Sequence, residues 1–486
     1  MSHLLIRGGR LVGSGARADV LISDGVVAAV GADLSDTRAA SVDAHGTWLI
    51  PGLWDAHVHF GQWVRSTTWL DISGAASAEE ACRMVADAPT RPGRPLIGFG
   101  HRFAGWPRVG TVAELDEVSG ERPVFLISGD AHNGWLNSAA LRLIGESPRN
   151  GPLQEGEWFP VLARIGSLPG ADPSVDDERA AVDLLASRGL VGMVDLEFSD
   201  TFRDWPRRIG EGIDALRVRT GVYEHQLDEV IDLGLRTGDA LDAHLEMGPL
   251  KVISDGSMST RTAWCLSPYR DAVDGEHTSG TANLTESNLR GLLRRATDGG
   301  LEVAVHAIGD RANQAALDAF AATGARGSIE HAQLLRWEDV PRFAELGVTA
   351  SMQPAHLLDD RDLSERIWPD RGERTFLARS LLDAGVRLAF GSDAPVSPPD
   401  PWLAMAAAVH RSGDDRPGWH QEQAVTAAEA LASSVDGRRI EPGSLGDVVL
   451  LDADPLEPGP ADEVAARLRA MSPLATVCAG RITHSR

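Results

Sequence analysis

Eight short apolar runs of β character recur through the middle of the chain, at residues 53–59, 190–196, 218–223, 250–255, 301–306, 328–331, 348–353 and 387–393. Several follow a helical stretch that stops at a glycine, as in Arg188-Gly189-Leu190, Gly299-Gly300-Leu301, Leu346-Gly347-Val348 and Ala384-Gly385-Val386. A glycine there is free to take the left-handed conformation that ends a helix and admits a strand. Between two of the runs, Leu289, Leu292, Leu293 and Ala296 fall at i, i+3, i+4 and i+7, the spacing of one buried helix face. Eight strands alternating with helices predict an α/β fold, a closed parallel (β/α)8 TIM barrel.

The ends of the chain have a different rhythm. Residues 4–6 and 11–12 flank Arg7-Gly8-Gly9-Arg10, and residues 20–23 and 26–30 flank Asp24-Gly25, a strong signal for a two-residue hairpin turn. Runs 447–451 and 476–479 repeat this character at the far end. Neither end has enough strands for a stable sheet, so residues 1–52 plus 437–486 are expected to form one small β-sandwich domain around a barrel of residues 53–436. The gap between the first two barrel strands, residues 60–189, is far longer than one βα unit needs. It holds elements of its own, a capping box at Ser77-Ala-Glu-Glu80 and a β run at 123–128. We expect a large insertion after barrel strand one, over the barrel mouth. Its tryptophans (Trp63, Trp69, Trp106, Trp135, Trp158) either line a lid or pack the insertion onto the barrel.

At 486 residues the chain suits a large barrel with one satellite domain, and a hydrophobic fraction of 43% supplies an ordinary core. A formal charge of −24 with no Lys/Arg-rich run argues against nucleic acid or an anionic membrane as partner. Cys82, Cys265 and Cys478 are too widely spaced for a disulfide framework or a thiolate zinc site. With no signal-peptide pattern and no apolar run of membrane-spanning length, a cytoplasmic location is expected.

Groups able to bind metal fall at the carboxyl ends of the predicted strands, the face on which barrel enzymes build their sites. Strand one ends Asp55-Ala56-His57-Val58-His59, and alternation along a strand points both imidazoles to one side. His306, His331 and Asp393 end strands five, six and eight. Any one of them alone reads more simply as a satisfied core residue. Four imidazoles and a carboxylate at matching strand ends suit Zn²⁺ or a similar ion. Lys251 lies inside the apolar run Leu250-Lys251-Val-Ile253, where an unpaired ammonium is costly. Burial favours the neutral amine, which can take up CO₂ as a carbamate; a salt bridge to an acid such as Asp255 is the alternative.

These residues sit in Pro51-Gly-Leu-Trp-Asp-Ala-His57-Val-His59, Leu250-Lys251-Val-Ile-Ser-Asp255-Gly-Ser, His306-Ala-Ile-Gly-Asp310-Arg-Ala-Asn313, Ile329-Glu-His331-Ala-Gln333 and Phe390-Gly-Ser-Asp393-Ala-Pro-Val396. Together with Asp130-Ala-His132-Asn-Gly-Trp-Leu-Asn137 and Pro442-Gly-Ser-Leu-Gly-Asp447, they resemble the amidohydrolase superfamily, in its family 3 branch of YtcJ-like and N-substituted formamide deformylase-like proteins. The resemblance implies a site for two divalent metal ions, Zn²⁺ by preference. His57, His59 and Asp393 would hold the more buried ion and His306 and His331 the other, with carbamylated Lys251 and a hydroxide bridging them. Segment Gly98-Phe99-Gly100-His101 departs from the pattern by its histidine, which bears on specificity.

The implied activity is hydrolysis of a C–N bond in an amide, formamide or N-acyl compound, by attack of the bridging hydroxide with Asp393 as the catalytic proton shuttle. His132, Asn137, Tyr223, Arg261, Gln353 and His356 are the candidate contacts for a small-molecule substrate. A lactonase or esterase using the same site, and a non-catalytic binding protein on the same scaffold, are the alternatives. A homodimer is compatible with the exposed insertion.

Overall fold

A computed structural model describes residues 3–89, 94–166, 168, 172–272 and 278–486. Eight parallel strands, Leu53–Val58, Leu190–Asp195, Arg217–Val222, Leu245–Ile253, Val303–Ala307, Gly327–His331, Thr349–Met352 and Leu388–Phe390, pair in sequence order. Strand eight returns to strand one through Asp393 N→His57 O (2.7 Å) and His59 N→Ala394 O (2.9 Å). Those two bonds close the predicted barrel at the place where three candidate ligands lie. Glycines that end the preceding helices are left-handed as expected, Gly189 at φ +88 and Gly347 at φ +66. In helix Glu286–Asp298 the buried side chains are Leu289, Leu292, Leu293 and Ala296, the predicted face.

Strand four begins earlier than its apolar run, at Leu245, because its first residues are covered by the short antiparallel strand Ala240–Asp242. At the N-terminus, Arg7-Gly8-Gly9-Arg10 is no turn between two strands. His3–Leu11 is a single strand whose register shifts between Ile6 and Gly9, with Gly8 at φ +70, so the glycines make a β-bulge. Asp24-Gly25 does form the two-residue turn, both residues at positive φ between Arg17–Ser23 and Val26–Gly31.

Both chain ends contribute to one continuous eight-stranded sheet, joined where Trp48–Pro51 pairs antiparallel with Val448–Leu451. Its core includes Leu4, Ile6, Val20 and Ile22 from one end of the chain and Val448, Leu450 and Val477 from the other. The C-terminal segment also supplies helix Ala461–Arg469, whose Val464, Ala465 and Leu468 join the barrel's core. The long insertion starts and finishes with helices Phe60–Thr67 and Val175–Ser187, which pack on the barrel. Between them lies a five-stranded sheet with separate apolar clusters around Leu126 and around Phe125, neighbours that point to opposite faces. Among the described residues no helix is long and apolar enough to cross a membrane.

Candidate metal centre

Strand alternation does what the sequence requires of it: His57 and His59 both reach Asp393. Their Nε2 atoms lie 3.3 and 3.2 Å from its Oδ1. Nδ1 of His57 is 2.7 Å from Glu330 Oε2, which leaves Nε2 facing the interior of the site. Glu330 is itself bonded by the Ser328 hydroxyl. His306 and His331 meet edge to face with ring centroids 4.5 Å apart, and His331 lies 5.2 Å from the His57 ring. Donor atoms of His57, His331 and Asp393 all fall within 4.8 Å of one another. His57, His306, Glu330, His331 and Asp393 are nearly or wholly buried, whereas His59 is partly exposed and stacks on Phe198 at 5.5 Å.

Lys251 is 3% exposed and its Nζ is 3.2 Å from His57 Nε2. The alternative pairing with Asp255 does not form. Asp255 is held by the amides of Trp264, Ile308 and Gly309, with Oδ1 3.4 Å from His306 Nε2. Burial lowers the Lys251 ammonium's pKa, against the pull of Glu330 and Asp393. Burial, and then the charge of Lys251, also keeps His57 neutral to lower pH and drives His306 well below its ordinary value. Asp393 goes the other way: burial opposes ionisation, but His57, His59 and His331 hold its carboxyl well below the usual range.

The chemistry of this donor set fits a divalent cation. Neutral imidazoles and an ionised carboxylate converge, and Nδ1 of His59 and of His331 is buried with no hydrogen-bond partner. A buried amine with no acid within ion-pair distance among the described residues is the state from which a carbamate can form.

A cavity of about 330 Å³ opens from this centre between the barrel and the insertion. His132 and His356 line it. His132 sits 6.3 Å from the His306 ring, and its Nδ1 is 3.1 Å from Glu155. Despite burial, Glu155 and Asp130 push the His132 imidazolium up to about 9. His356 Nε2 has no hydrogen-bond partner and stands 3.9 Å from Asp393 Oδ2.

The other candidate contacts are placed elsewhere. Asn137 caps helix Ser138–Ile144 and spends its whole amide on Val124 N, Ala140 N, Ser119 Oγ and Arg122 O. Tyr223 turns its hydroxyl onto Leu196 O (2.7 Å) behind Phe198. Arg261 is tied to Asp271 and Ser259 O within its own loop. Gln353 is buried beside Ser351, away from the cavity wall. The tryptophans pack rather than line: Trp63, Trp106, Trp135 and Trp158 lie in apolar cores, and Trp69 packs against one. The aromatic wall is instead Phe103, Phe159 and Phe198. His101 borders the cavity but is fully buried, against Phe103 and Trp106.

Glu330 escaped the sequence reading. Its signal was present, an acid inside the apolar run Ser328-Ile-Glu-His331, directly beside a candidate ligand.

Comparison with known proteins agrees with this geometry. A family profile described as "Amidohydrolase family" matches residues 40–484. The putative amidohydrolase YtcJ of Bacillus subtilis (strain 168) is 26% identical, over 96% of each chain. N-substituted formamide deformylase of Arthrobacter pascens is 28% identical, over 96% of this chain and 95% of that protein. Among solved structures, an uncharacterized metal-dependent hydrolase of Pyrococcus horikoshii OT3 superposes with a TM-score of 0.77 at 26% identity, covering 94% of this chain and 98% of the other.

Proposed function

The chain belongs to the amidohydrolase family, in its YtcJ-like branch, and from that premise we propose that it is a metal-dependent hydrolase cleaving a C–N bond of an amide, formamide or N-acyl compound. One observation carries the reading: His57, His59, His306, His331 and Asp393 converge around a buried lysine that has no ion-pair partner among the described residues, at the floor of one cavity. The name of the formamide deformylase relative favours nitrogen over oxygen as the leaving atom.

His57, His59 and Asp393 would hold one ion, His306 and His331 a second, and Lys251, as its CO₂-derived carbamate, would serve both. Two such cations would supply Lewis acidity, making a water easier to deprotonate and a carbonyl easier to attack. Asp393 is the group to move the proton. Its Oδ2 points toward His356 across a 3.9 Å gap, while Oδ1 is engaged by the two strand-one histidines. Held ionised, it can take a proton from the attacking water and release it to the leaving nitrogen. His132, 6.3 Å from the His306 ring and with its pKa raised by Glu155, would hydrogen-bond the substrate carbonyl as negative charge grows on it. Phe159 and Phe198 close the cavity with apolar surface that strengthens these polar contacts.

The test is metal per chain, by elemental analysis of protein purified without added metal or chelator. About two equivalents of zinc or a similar ion are expected, falling toward about one in Lys251→Met. One equivalent in the wild type would make the site mononuclear, and none, with none rebound, would favour a binding protein on the same scaffold.

A further inference from the structure

Beyond the metal centre, the cavity has a polar wall on which one carboxylate has no ion-pair partner among the described residues. Helix His356–Ile367 runs outward along it, presenting His356, Asp360, Leu363 and Arg366 in turn. Four carboxylates other than Asp393 line the cavity among the described residues: Asp130, Asp359, Asp360 and Asp362. Three are accounted for. Asp359 pairs with Arg102 at 2.9 Å and Asp362 with Arg416, while Asp130 accepts from the hydroxyls of Ser128 and Ser259 and from the His132 amide. Asp360 has no cation within ion-pair distance among the described residues; its neutral partner is Gln333, whose Nε2 donates at 3.0 Å. Desolvation and the neighbouring Asp359 push its carboxyl up to about 7, against the pull of Arg102, which is itself paired with Asp359.

Two more atoms on the same cavity point to a polar ligand. Asn133 Oδ1 and His356 Nε2 belong to residues at least nine-tenths buried, and neither has a hydrogen-bond partner among the described residues. His356 marks the depth of the reacting bond by its approach to Asp393. Asp360 comes one helical turn later, roughly 6 Å further out at 1.5 Å per residue. Met258, Leu363 and Phe103 add apolar surface to the same cavity.

We propose that Asp360 is a specificity-determining residue, selecting substrates that carry an ammonium or guanidinium group roughly 6 Å from the scissile carbonyl. The assignment rests on the hydrolase reading for the word substrate, but the charge recognition stands apart from catalysis and is tested apart from it. A cation held there supplies the partner that Asp360 lacks, and its aliphatic or aromatic remainder lies on the apolar wall.

The experiment has two arms on zinc-loaded protein. The first measures binding of phenethylguanidinium, which stays charged and therefore does not ligate metal, against neutral phenylethanol. The second compares kcat/KM for an N-formylated diaminopropane and its uncharged isostere N-formylbutylamine. Preference for the cation is expected in both arms, about tenfold or more. It should collapse toward unity in Asp360→Asn and persist in Asp362→Asn, whose carboxylate already has Arg416. Equal binding of the two probes by the wild type, or an unchanged preference in Asp360→Asn, overturns the proposal. Should no amide be cleaved while Asp360→Asn still loses the guanidinium, the hydrolase reading fails and the charge site remains. Equal binding in the wild-type arm overturns the proposal even if the variant does not fold.

Discussion

Glu330 Oε2 lies 2.7 Å from His57 Nδ1, and both side chains are almost wholly buried. The contact fixes the tautomer and rotation of an imidazole whose other nitrogen faces Asp393 and Lys251. Glu330 thus acts through His57 rather than on substrate. Carboxylates behind metal-bound histidines typically contribute 10–100-fold in metal affinity. Glu330→Gln, which keeps shape but removes the charge, should weaken metal retention about that much in a chelator competition. Activity should return when metal is added in excess. Unchanged affinity would reduce the contact to packing.

Asp393 differs, because it belongs to the donor set and also faces the cavity. Asp393→Asn preserves an oxygen for the cation but cannot accept a proton. We expect metal content near that of the wild type and kcat lower by about 10²–10⁴-fold. Rates near wild type with metal in place would remove Asp393 from proton transfer, and loss of metal along with rate would assign it to binding alone.

The difference between those two residues also shows what the sequence could yield. His57, His59, His306, His331 and Asp393 were legible because each interrupts an apolar run at its carboxyl end, and barrel geometry brings such ends together. Lys251 stood out for the same reason. Loop residues carry no such rule. Asn137 precedes Ser138-Ala-Ala-Leu141 and so had the mark of a helix cap, which is the role it has. Whether Phe159 or Trp158 meets the cavity depends on how helix Glu155–Ile165 rolls against the insertion sheet. Asp360 is one of six acids in the segment 359–373, and only the fold shows that its neighbours Asp359 and Asp362 are paired and it is not.

His101 offers a test of stability. It is fully buried, with Nε2 3.3 Å from Leu126 O, and burial lowers its pKa from 6.5 to about 4. The unfolded chain takes up a proton as pH falls through 6.5, whereas the folded protein resists until near 4. Its contribution is therefore complete above 6.5 and is lost between 6.5 and 4. At 1.36 kcal/mol per unit, this single group accounts for about 2–3 kcal/mol of the loss on acidification. In His101→Phe the drop in unfolding free energy from pH 7 to 4.5, read from urea titrations, should be smaller by about that amount. Equal drops in the two proteins would mean that the imidazole is protonated in the folded state.

The closing seam of the barrel depends on Gly391. A Cβ there would lie 2.6 Å from His57 N, 2.9 Å from His57 Cβ and 3.1 Å from Asp55 Oδ1. None of these can yield freely. Asp55 Oδ1 already accepts from His57 N (3.2 Å) and Ser392 N (2.9 Å), binding strand one to strand eight just below Asp393. Gly391→Ala must therefore push the two strands apart, and the same displacement separates His57 and His59 from the carboxylate they share. Overpacking of this kind costs about 1–3 kcal/mol. We expect that loss in urea unfolding together with reduced metal per chain. Gly74→Ala, with nothing within 4 Å of the new methyl, should stay within about 0.5 kcal/mol of wild type and keep its metal. If Gly391→Ala matched that control in both measurements, the seam would be slack enough to absorb a methyl, and the approach of Asp393 to the strand-one histidines would have to be set by the cation rather than by the backbone.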